Sequence, residues 1–392
     1  MKKMKITWVT RSFLDYRIPV YEAINSLSNN NLTVIYFKDV VPDRCQIKLG
    51  VILGNRAIGL TGEMRIGGKK QENQTFANQG GLRIPLRPGL LKQVKKTDPD
   101  IVLSDGFFQW SYAALLLNAF YKIPHIMFYE RTSHTERKAS RTRILARKIA
   151  SNFISGICCN GIETKSYLEK FGLPKEKLFV GNMAADVDGL KVALANVDEN
   201  KIKSIREKYN ISGLVFLYVG QLIQRKGVLE MLESWNTFSL NKTDINLLLL
   251  GDGDQLGEVN RYVEKNKMNS VKVLGRVEYS EVSTIYALSD IFIIPTLEDN
   301  WSLVVPEAMS CGLPILSSKY NGCWPELVKP ENGWVFDPLD SKSFIETLEV
   351  AIKNKDNWKQ MGESSAKIVA DFSPEKIAAQ IFKTCEKIIT DK

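Results

Sequence analysis

Histidine is nearly absent from the 392 residues: His125 and His134 are the two in the chain. Two histidines cannot build a His cluster, so no metal is expected. No C-x-x-C pair occurs among Cys45, Cys158, Cys159, Cys311, Cys323 and Cys385. Reduced, mostly buried thiols are therefore expected in place of a disulfide frame or zinc site. No run approaches the ~18 consecutive apolar residues of a transmembrane helix; the greasiest, Tyr112–Tyr121, is interrupted by Asn118. The start, MKKMKITWVT, is basic but leads into strand-like residues without a small-residue cleavage site, which is not the pattern of a signal peptide. Low-complexity segments and short-period repeats are missing. So are zinc-finger, RRM and helix-turn-helix patterns, so no nucleic-acid partner is expected. No G-x-G-x-x-G follows the first strand-like run, which excludes an NAD dehydrogenase. A cytoplasmic globular protein is the expectation.

Short β-branched apolar runs are plentiful, with helical stretches between them. They fall at 5–10, 32–37, 101–104, 125–130, 154–160 and 178–182, then at 214–220, 245–251, 271–275, 291–296, 314–318 and 333–337. Continuous rather than alternating runs indicate parallel strands buried on both faces. Six runs per half predict an α/β chain of two doubly wound domains, 1–183 and 184–372. A last helix, 373–392, begins at the Ser373-Pro374 capping signal. Residues 43–90 carry many glycines and weak periodicity, and read as a long loop or irregular insertion. Charge divides between the halves. Residues 1–183 hold 29 Lys and Arg against 14 Asp and Glu, whereas the whole chain nets +9. A basic first half suits phosphate-bearing ligands or an anionic membrane face.

The chemistry concentrates in IFIIPTLEDNWSLVVPEAMSCGLPILSSKYNGCWP, residues 291–325. A strand runs into a loop holding Glu298, Asp299, Asn300, Trp301 and Ser302, and then into a helix that stops at Cys311-Gly312. A helix N-terminus at the carboxyl end of a parallel sheet attracts anions. Asp299 on the loop and Glu307 on the helix are eight positions apart, and a carboxylate can accept two hydrogen bonds from a vicinal diol. This pair could hold the two sugars of a nucleotide-sugar; on these residues alone, a plain loop acid and a helix-facing Glu remain an equal alternative. LYVGQLIQRKG places Arg225 and Lys226 after a strand and before a helix, where cations are unfavourable unless an anion is nearby. They could neutralise a diphosphate leaving group. LLLLGDGD reads as a strand and glycine turn, and Gly275-Arg276-Val277 follows the next strand, where exposed backbone could bond a base.

In order, G-Q-L-x-x-R-K-G, LLLLGDG, VKVLGRV, Asp-x7-Glu-Ala-Met-x-Cys-Gly-x-Pro-Ile, Gly-x-x-Pro-Glu and ENGWVFDP resemble the retaining glycosyltransferases of family 4. The likeness is specific over 214–339. It implies the GT-B fold: two Rossmann-like domains facing a cleft, with the C-terminal helix returning to the first domain. It further implies metal-independent transfer from a nucleotide-sugar held mainly by the second domain, with no cofactor. A UDP-sugar, first UDP-glucose, is the donor on family frequency. Glu307 would hold the ribose and Asp299 the donor sugar, or Glu298, one position too early to match, could substitute for Asp299. Backbone N–H groups from Asn300 through Trp301, Ser302 and Leu303 to Val304 would meet the diphosphate and sugar. Lys226 would face the phosphates, Val277 would offer backbone to the base, and Glu326 would lie near the donor. Three positions depart from the family pattern. The leading acid is Asp, not Glu. Gln221 after Gly220 stands where Arg is frequent, leaving Arg225 to compensate. Glu130 stands where many members have a first-domain histidine.

The first domain would take the acceptor, an anionic or lipid-linked saccharide. Arg11, Asp15 and Arg17 in the loop after the first strand, Phe107 after a later one, and His134 are the candidate contacts. Residues 136–150, ERKASRTRILARKIA, form a basic amphipathic stretch in which Ile144, Leu145, Ala146 and Ile149 can share a face. Peripheral contact with an anionic membrane at the inner face follows as an expectation. The alternatives to catalysis of transfer are a non-catalytic nucleotide-sugar-binding scaffold and a GT-B sugar-nucleotide epimerase.

Overall fold

In a computed structural model, which describes residues 4–62, 65–66, 82–83, 89–107, 109–181, 183–184 and 187–391, each of the twelve apolar runs contains a strand. The first sheet comprises β1 (Ile6–Val9), β2 (Leu32–Phe37), β3 (Ala57–Leu60), β6 (Ile101–Asp105), β7 (His125–Tyr129), β8 (Gly156–Cys159) and β9 (Leu178–Val180); β4 (Arg65–Ile66) and β5 (Leu82–Arg83) pair separately. Its order is β3-β2-β1-β6-β7-β8-β9, all parallel. The second sheet comprises β10 (Leu214–Val219), β11 (Ile245–Leu250), β12 (Val271–Gly275), β13 (Ile291–Ile294), β14 (Ile315–Ser318) and β15 (Gly333–Phe336), in the order β12-β11-β10-β13-β14-β15. It too is parallel throughout. Central strands such as β1, β7, β11 and β13 are buried along their whole length, because helices cover both faces.

The helix Asp43–Leu53 and the edge strand β3 correct the reading of 43–90 as a long loop or irregular insertion over its first part; residues 63–64, 67–81 and 84–88 lie outside the described residues. β3 lies at the sheet margin, where its residues are half-exposed, so it lacks the continuous apolar run of a central strand. The helix buries Cys45, Leu49 and Leu53 on a single stripe, a four-residue spacing diluted by surrounding polar residues.

Strand order reverses between β1 and β6 in one sheet and between β10 and β13 in the other. At such a switch point the loops leaving the two strands diverge to opposite faces and open a crevice at their carboxyl ends. The loops that matter are therefore 10–17, 106–107 and 109–110 in the first domain, and 220–227 and 295–303 in the second. Met183, Val187 and Leu190 lie in the second domain's core, and Ala184 in the first's. The helix Pro374–Thr390 returns to the first domain, burying Ile377, Ala378, Ile381 and Cys385 there and packing on the helix Ile18–Leu27. Its start is capped by Ser373 Oγ, which accepts from the Lys376 N–H at 3.4 Å, with Pro374 in the first turn, where its missing N–H costs nothing.

The strand ends behind the second-domain cleft come close together. Gly251, at the end of β11, has φ +148°, and an added methyl would fall on the Gly220 carbonyl oxygen at the end of β10. Gly251→Ala is expected to destabilise the protein by about 3 kcal/mol, combining backbone strain with a steric clash. Urea unfolding checks this; an unchanged midpoint would show that the two strand ends can separate freely.

Candidate active site

The second-domain switch point assembles its polar groups around Asp299. The helix Val228–Ser239 is preceded by Gly227 at φ +67°, and the single turn Gln224–Lys226 leads into it. This geometry brings Lys226 Nζ into a close, buried ion pair with Asp299 Oδ2. The Ser302 hydroxyl donates to the same oxygen at 2.7 Å, and the Trp301 N–H donates to Oδ1 at 3.2 Å. Arg225 stands 3.9 Å from Oδ2 and is open to solvent. Burial pushes the Asp299 carboxyl up, but Lys226 and the Ser302 hydrogen bond outweigh it and hold it below the usual carboxylate range. Asp299 is thus the anion that lets two cations stand before a helix.

The loop is fixed from behind. Asp299 pairs with Asn321 as an isolated parallel bridge, and the Gly322 N–H donates to the Asp299 carbonyl at 3.0 Å. Asn321 Oδ1 accepts from the Ser302 N–H at 3.4 Å. Trp301 is buried, 6.1 Å from the Phe372 ring. Asn300 Oδ1, Trp301 Nε1 and Glu326 Oε2 are buried without a hydrogen-bond partner. Such orphans are uncommon, and these three all belong to the segments that form this wall.

Leu303 and Val304 lead into the helix Val304–Ser310, which carries Glu307. Burial raises the Glu307 carboxyl to about 7, against a hydrogen bond from the Tyr286 hydroxyl at 3.4 Å to Oε2. Gly220 follows β10, and the Gln221 side chain is exposed while its carbonyl accepts from the Tyr218 hydroxyl at 2.8 Å. Past β12, Arg276 is exposed and Val277 packs on the second-domain core. Asp252-Gly253-Asp254 spells a D-x-D triplet at the end of β11; both acids are exposed, and Asp252 Oδ1 accepts from the Gly253 N–H at 2.7 Å.

Across the cleft, Glu130 follows β7. Its side chain is reached by solvent yet protein surrounds it, and this enclosure raises its carboxyl. Arg131 and Arg17 pull it down while Asp105 and Asp299 push it up. Glu130 therefore feels the opposite domain's Asp299. Arg17 is buried, its guanidinium 5.3 Å from the Trp8 ring centroid and 5.9 Å from that of Phe128. Asp105, the last residue of β6, accepts from Trp8 Nε1 at 3.3 Å and is raised by burial despite Arg17. Asp105 was not among the sequence candidates, although its place at the carboxyl end of a strand beside the switch point is the signal that would have found it.

The other first-domain candidates scatter. Asp15 is tied to Lys48 at 2.8 Å and Arg44 at 2.9 Å, which hold its carboxyl down at about 2. The Arg11 guanidinium sits 5.9 Å from the Phe37 ring centroid. Phe107 is half-buried, 5.5 Å from the Tyr129 ring. His134 instead joins the domains: its Nε2–H donates to the Leu297 carbonyl at 2.8 Å and its ring stacks on Tyr320 at 4.5 Å. Arg137 Nη1 donates to Glu298 Oε2 at 2.7 Å. Glu326 reaches back across the cleft to accept the Ile162 N–H at the start of the helix Ile162–Lys170, and burial raises its carboxyl to about 7.

Two parallel sheets, each opening its switch point onto one cleft, with a C-terminal helix crossing back, are the GT-B fold. Two stretches of the sequence match glycosyltransferase families. Residues 201–368 match the family of glycosyl transferases group 1, and residues 62–188 match Glycosyltransferase Family 4. An uncharacterized glycosyltransferase of Methanocaldococcus jannaschii is 24% identical over 172 residues, 44% of this chain and 48% of that one. The UDP-Gal:alpha-D-GlcNAc-diphosphoundecaprenol alpha-1,3-galactosyltransferase of Escherichia coli is 28% identical over 198 residues, 49% of each chain. The alignment thus spans about half the length of these two relatives. Among solved structures, Anabaena HepE in complex with UDP superposes with a TM-score of 0.73 at 18% identity, covering 98% of this chain and 100% of that one.

Proposed function

We propose that the protein is a retaining hexosyltransferase that moves a sugar from a UDP-sugar, first UDP-glucose, to a lipid-linked or polysaccharide-precursor acceptor without a metal. The observation that carries this is the buried Lys226–Asp299–Ser302 cluster, with Arg225 beside it, at the second-domain switch point. Departure of UDP places negative charge on a diphosphate. Two preorganised cations, with the backbone N–H groups leading into the helix Val304–Ser310, stabilise that charge as it develops. In this reading Glu307 accepts both hydroxyls of a ribose, Asp299 orients the donor sugar, and Gly220, Arg276 and Val277 border the nucleotide. Glu130 and Arg17 line the acceptor side. Two similar proteins support the substrate classes: the E. coli enzyme pairs a UDP-sugar with a diphosphoundecaprenol-linked acceptor, and HepE is seen with UDP.

The test incubates the protein with UDP-, GDP- and ADP-sugars in EDTA, with and without a polyprenyl-diphosphate-linked saccharide, and follows nucleotide release and the anomer formed by NMR. One UDP-sugar consumed with retention, only when acceptor is added, is the expected result. Conversion of the donor without acceptor would mark an epimerase, and binding without turnover a scaffold.

A further inference from the structure

The helix Arg141–Ser151 is packed inside out. Arg147 turns inward, 11% exposed at its side chain, where it bonds the buried Glu136 at 2.7 Å and lies over the rings of Phe107 and Tyr129. Leu145 and Ile149, four residues apart on the outer stripe, are 60% and 56% exposed. Ser151 is the one buried residue of this helix. The sequence grouping of Ile144 with Leu145, Ala146 and Ile149 is thereby corrected: Ile144 is half-buried, and Leu145, Ala146 and Ile149 face out. A helix adapted to water alone would turn its leucine and isoleucine inward and its arginine outward.

The exposed apolar stripe continues past the helix. Phe153, four residues beyond Ile149, is 39% exposed. The neighbouring helix Tyr112–Tyr121 is tied to this segment by Asn118 Nδ2, which donates to Ser155 Oγ at 3.2 Å. That helix ends in Phe120 and Tyr121, 74% and 50% exposed, with Lys95 Nζ 3.9 Å from the Tyr121 ring centroid. Around these residues, Arg141, Arg143, Lys148, Lys95 and Lys122 are exposed. From Arg137 to Ile162 there are six Lys and Arg and no Asp or Glu.

We propose that the outer face of the helix Arg141–Ser151, extended by Phe153 and by Phe120 and Tyr121, docks on an anionic phospholipid bilayer. Leucine, isoleucine and aromatic rings reach the headgroup–acyl boundary while the collar of arginine and lysine pairs with lipid phosphates. A second copy of the chain is a poor occupant, because a self-complementary contact would set one cationic collar against another. No helix among the described residues is long and apolar enough to cross a membrane, so this contact is peripheral. The face is also joined to the cleft: Glu136, which bonds Arg147, lies two residues after His134, which bonds Leu297 of the second domain. The contact does not depend on the transferase reading, since its readout is binding to lipid.

The experiment sediments the full-length protein with vesicles of phosphatidylglycerol and phosphatidylcholine, or of phosphatidylcholine alone. Wild type is expected to bind the first, to bind the second far less, and to be released by salt. Neutralising Arg141, Arg143 and Lys148 to Gln is expected to weaken binding by about 100-fold. The double variant Leu145→Ser with Ile149→Ser is expected to weaken it by at least about 10-fold. Circular dichroism and the melting midpoint should stay at wild-type values, because all five side chains are exposed. Equal binding to both vesicle types, no binding, or variants that bind like wild type would each overturn the proposal. So would a drop in oligomeric mass of the Leu145→Ser, Ile149→Ser protein with vesicle binding retained, since a second copy would then own the face.

Discussion

Replacing Lys226 with methionine is expected to reduce sugar transfer by about 100- to 1,000-fold, the usual loss when one preorganised stabiliser of developing charge is removed. Lys226 is 10% exposed at its side chain and its partner Asp299 is 12% exposed. A charge in this position acts through little water, so it is worth more than a surface lysine would be. The same substitution strands the Asp299 carboxylate, with Arg225 at 3.9 Å as the remaining cation. Loss of one partner from a buried pair costs about 3 kcal/mol, and Asp299 then has reason to take up a proton. The Asp299 carboxyl, now held low, should rise in the variant, so the stability deficit relative to wild type should shrink as pH falls. Transfer rate and urea unfolding, measured side by side at two pH values, separate the two effects. Wild-type turnover in a folded Lys226→Met protein would remove Lys226 from the chemistry. A rate loss matched by no loss of donor affinity would place its action in the transition state.

Glu307→Gln should weaken UDP-sugar binding by about 10- to 100-fold and flatten its pH dependence. The two hydrogen bonds from a ribose diol need the carboxylate form, and a charged acceptor is worth more than an amide oxygen. Burial raises the carboxyl from 4.5 to about 7. The folded protein therefore holds this proton more tightly than the unfolded chain. The resulting stabilisation is fully present below pH 4.5 and is lost as pH rises through about 7, a difference of about 3 kcal/mol. Donor binding must displace the proton, so wild-type affinity should climb between pH 6 and pH 8, near that value of about 7, with proton release on binding. Calorimetry in buffers of different ionisation enthalpy reads the released proton directly. Glu326→Gln is the control, because its carboxyl also lies at about 7. If the pH dependence survives in Glu307→Gln and disappears in Glu326→Gln, the ribose role of Glu307 fails. In the absence of donor, the Gln variant should overtake wild type in stability above pH 7, where wild type carries a buried charge.

Much of this molecule was legible in the order of its residues. Each of the twelve continuous apolar runs contains a strand, and the Ser373-Pro374 signal begins the last helix. These features are local: burial on both faces of a central strand requires an unbroken apolar run, and a helix start requires a capping group. β3 escaped because an edge strand is covered on fewer sides and needs no such run. The strand, acidic loop and helix of 291–310 were legible as well, since their signals appear consecutively there. What spacing could not convey is pairing at a distance. Lys226 and Asp299 are separated by 73 residues, Glu326 and Ile162 by 164, and Arg137 and Glu298 by 161. Each of these partnerships depends on which strand ends the crossovers bring to a common switch point, and on how the two domains face. The inward turn of Arg147 and the outward turn of Leu145 and Ile149 are of the same kind. Helical periodicity groups residues into faces, but which face meets the protein is settled by the groups already waiting there, here Glu136 and the rings of Phe107 and Tyr129. Local pattern thus specified the elements and their order. Only the packing of distant elements decided which charges meet, which carboxyls keep their protons, and which apolar residues are left facing outward.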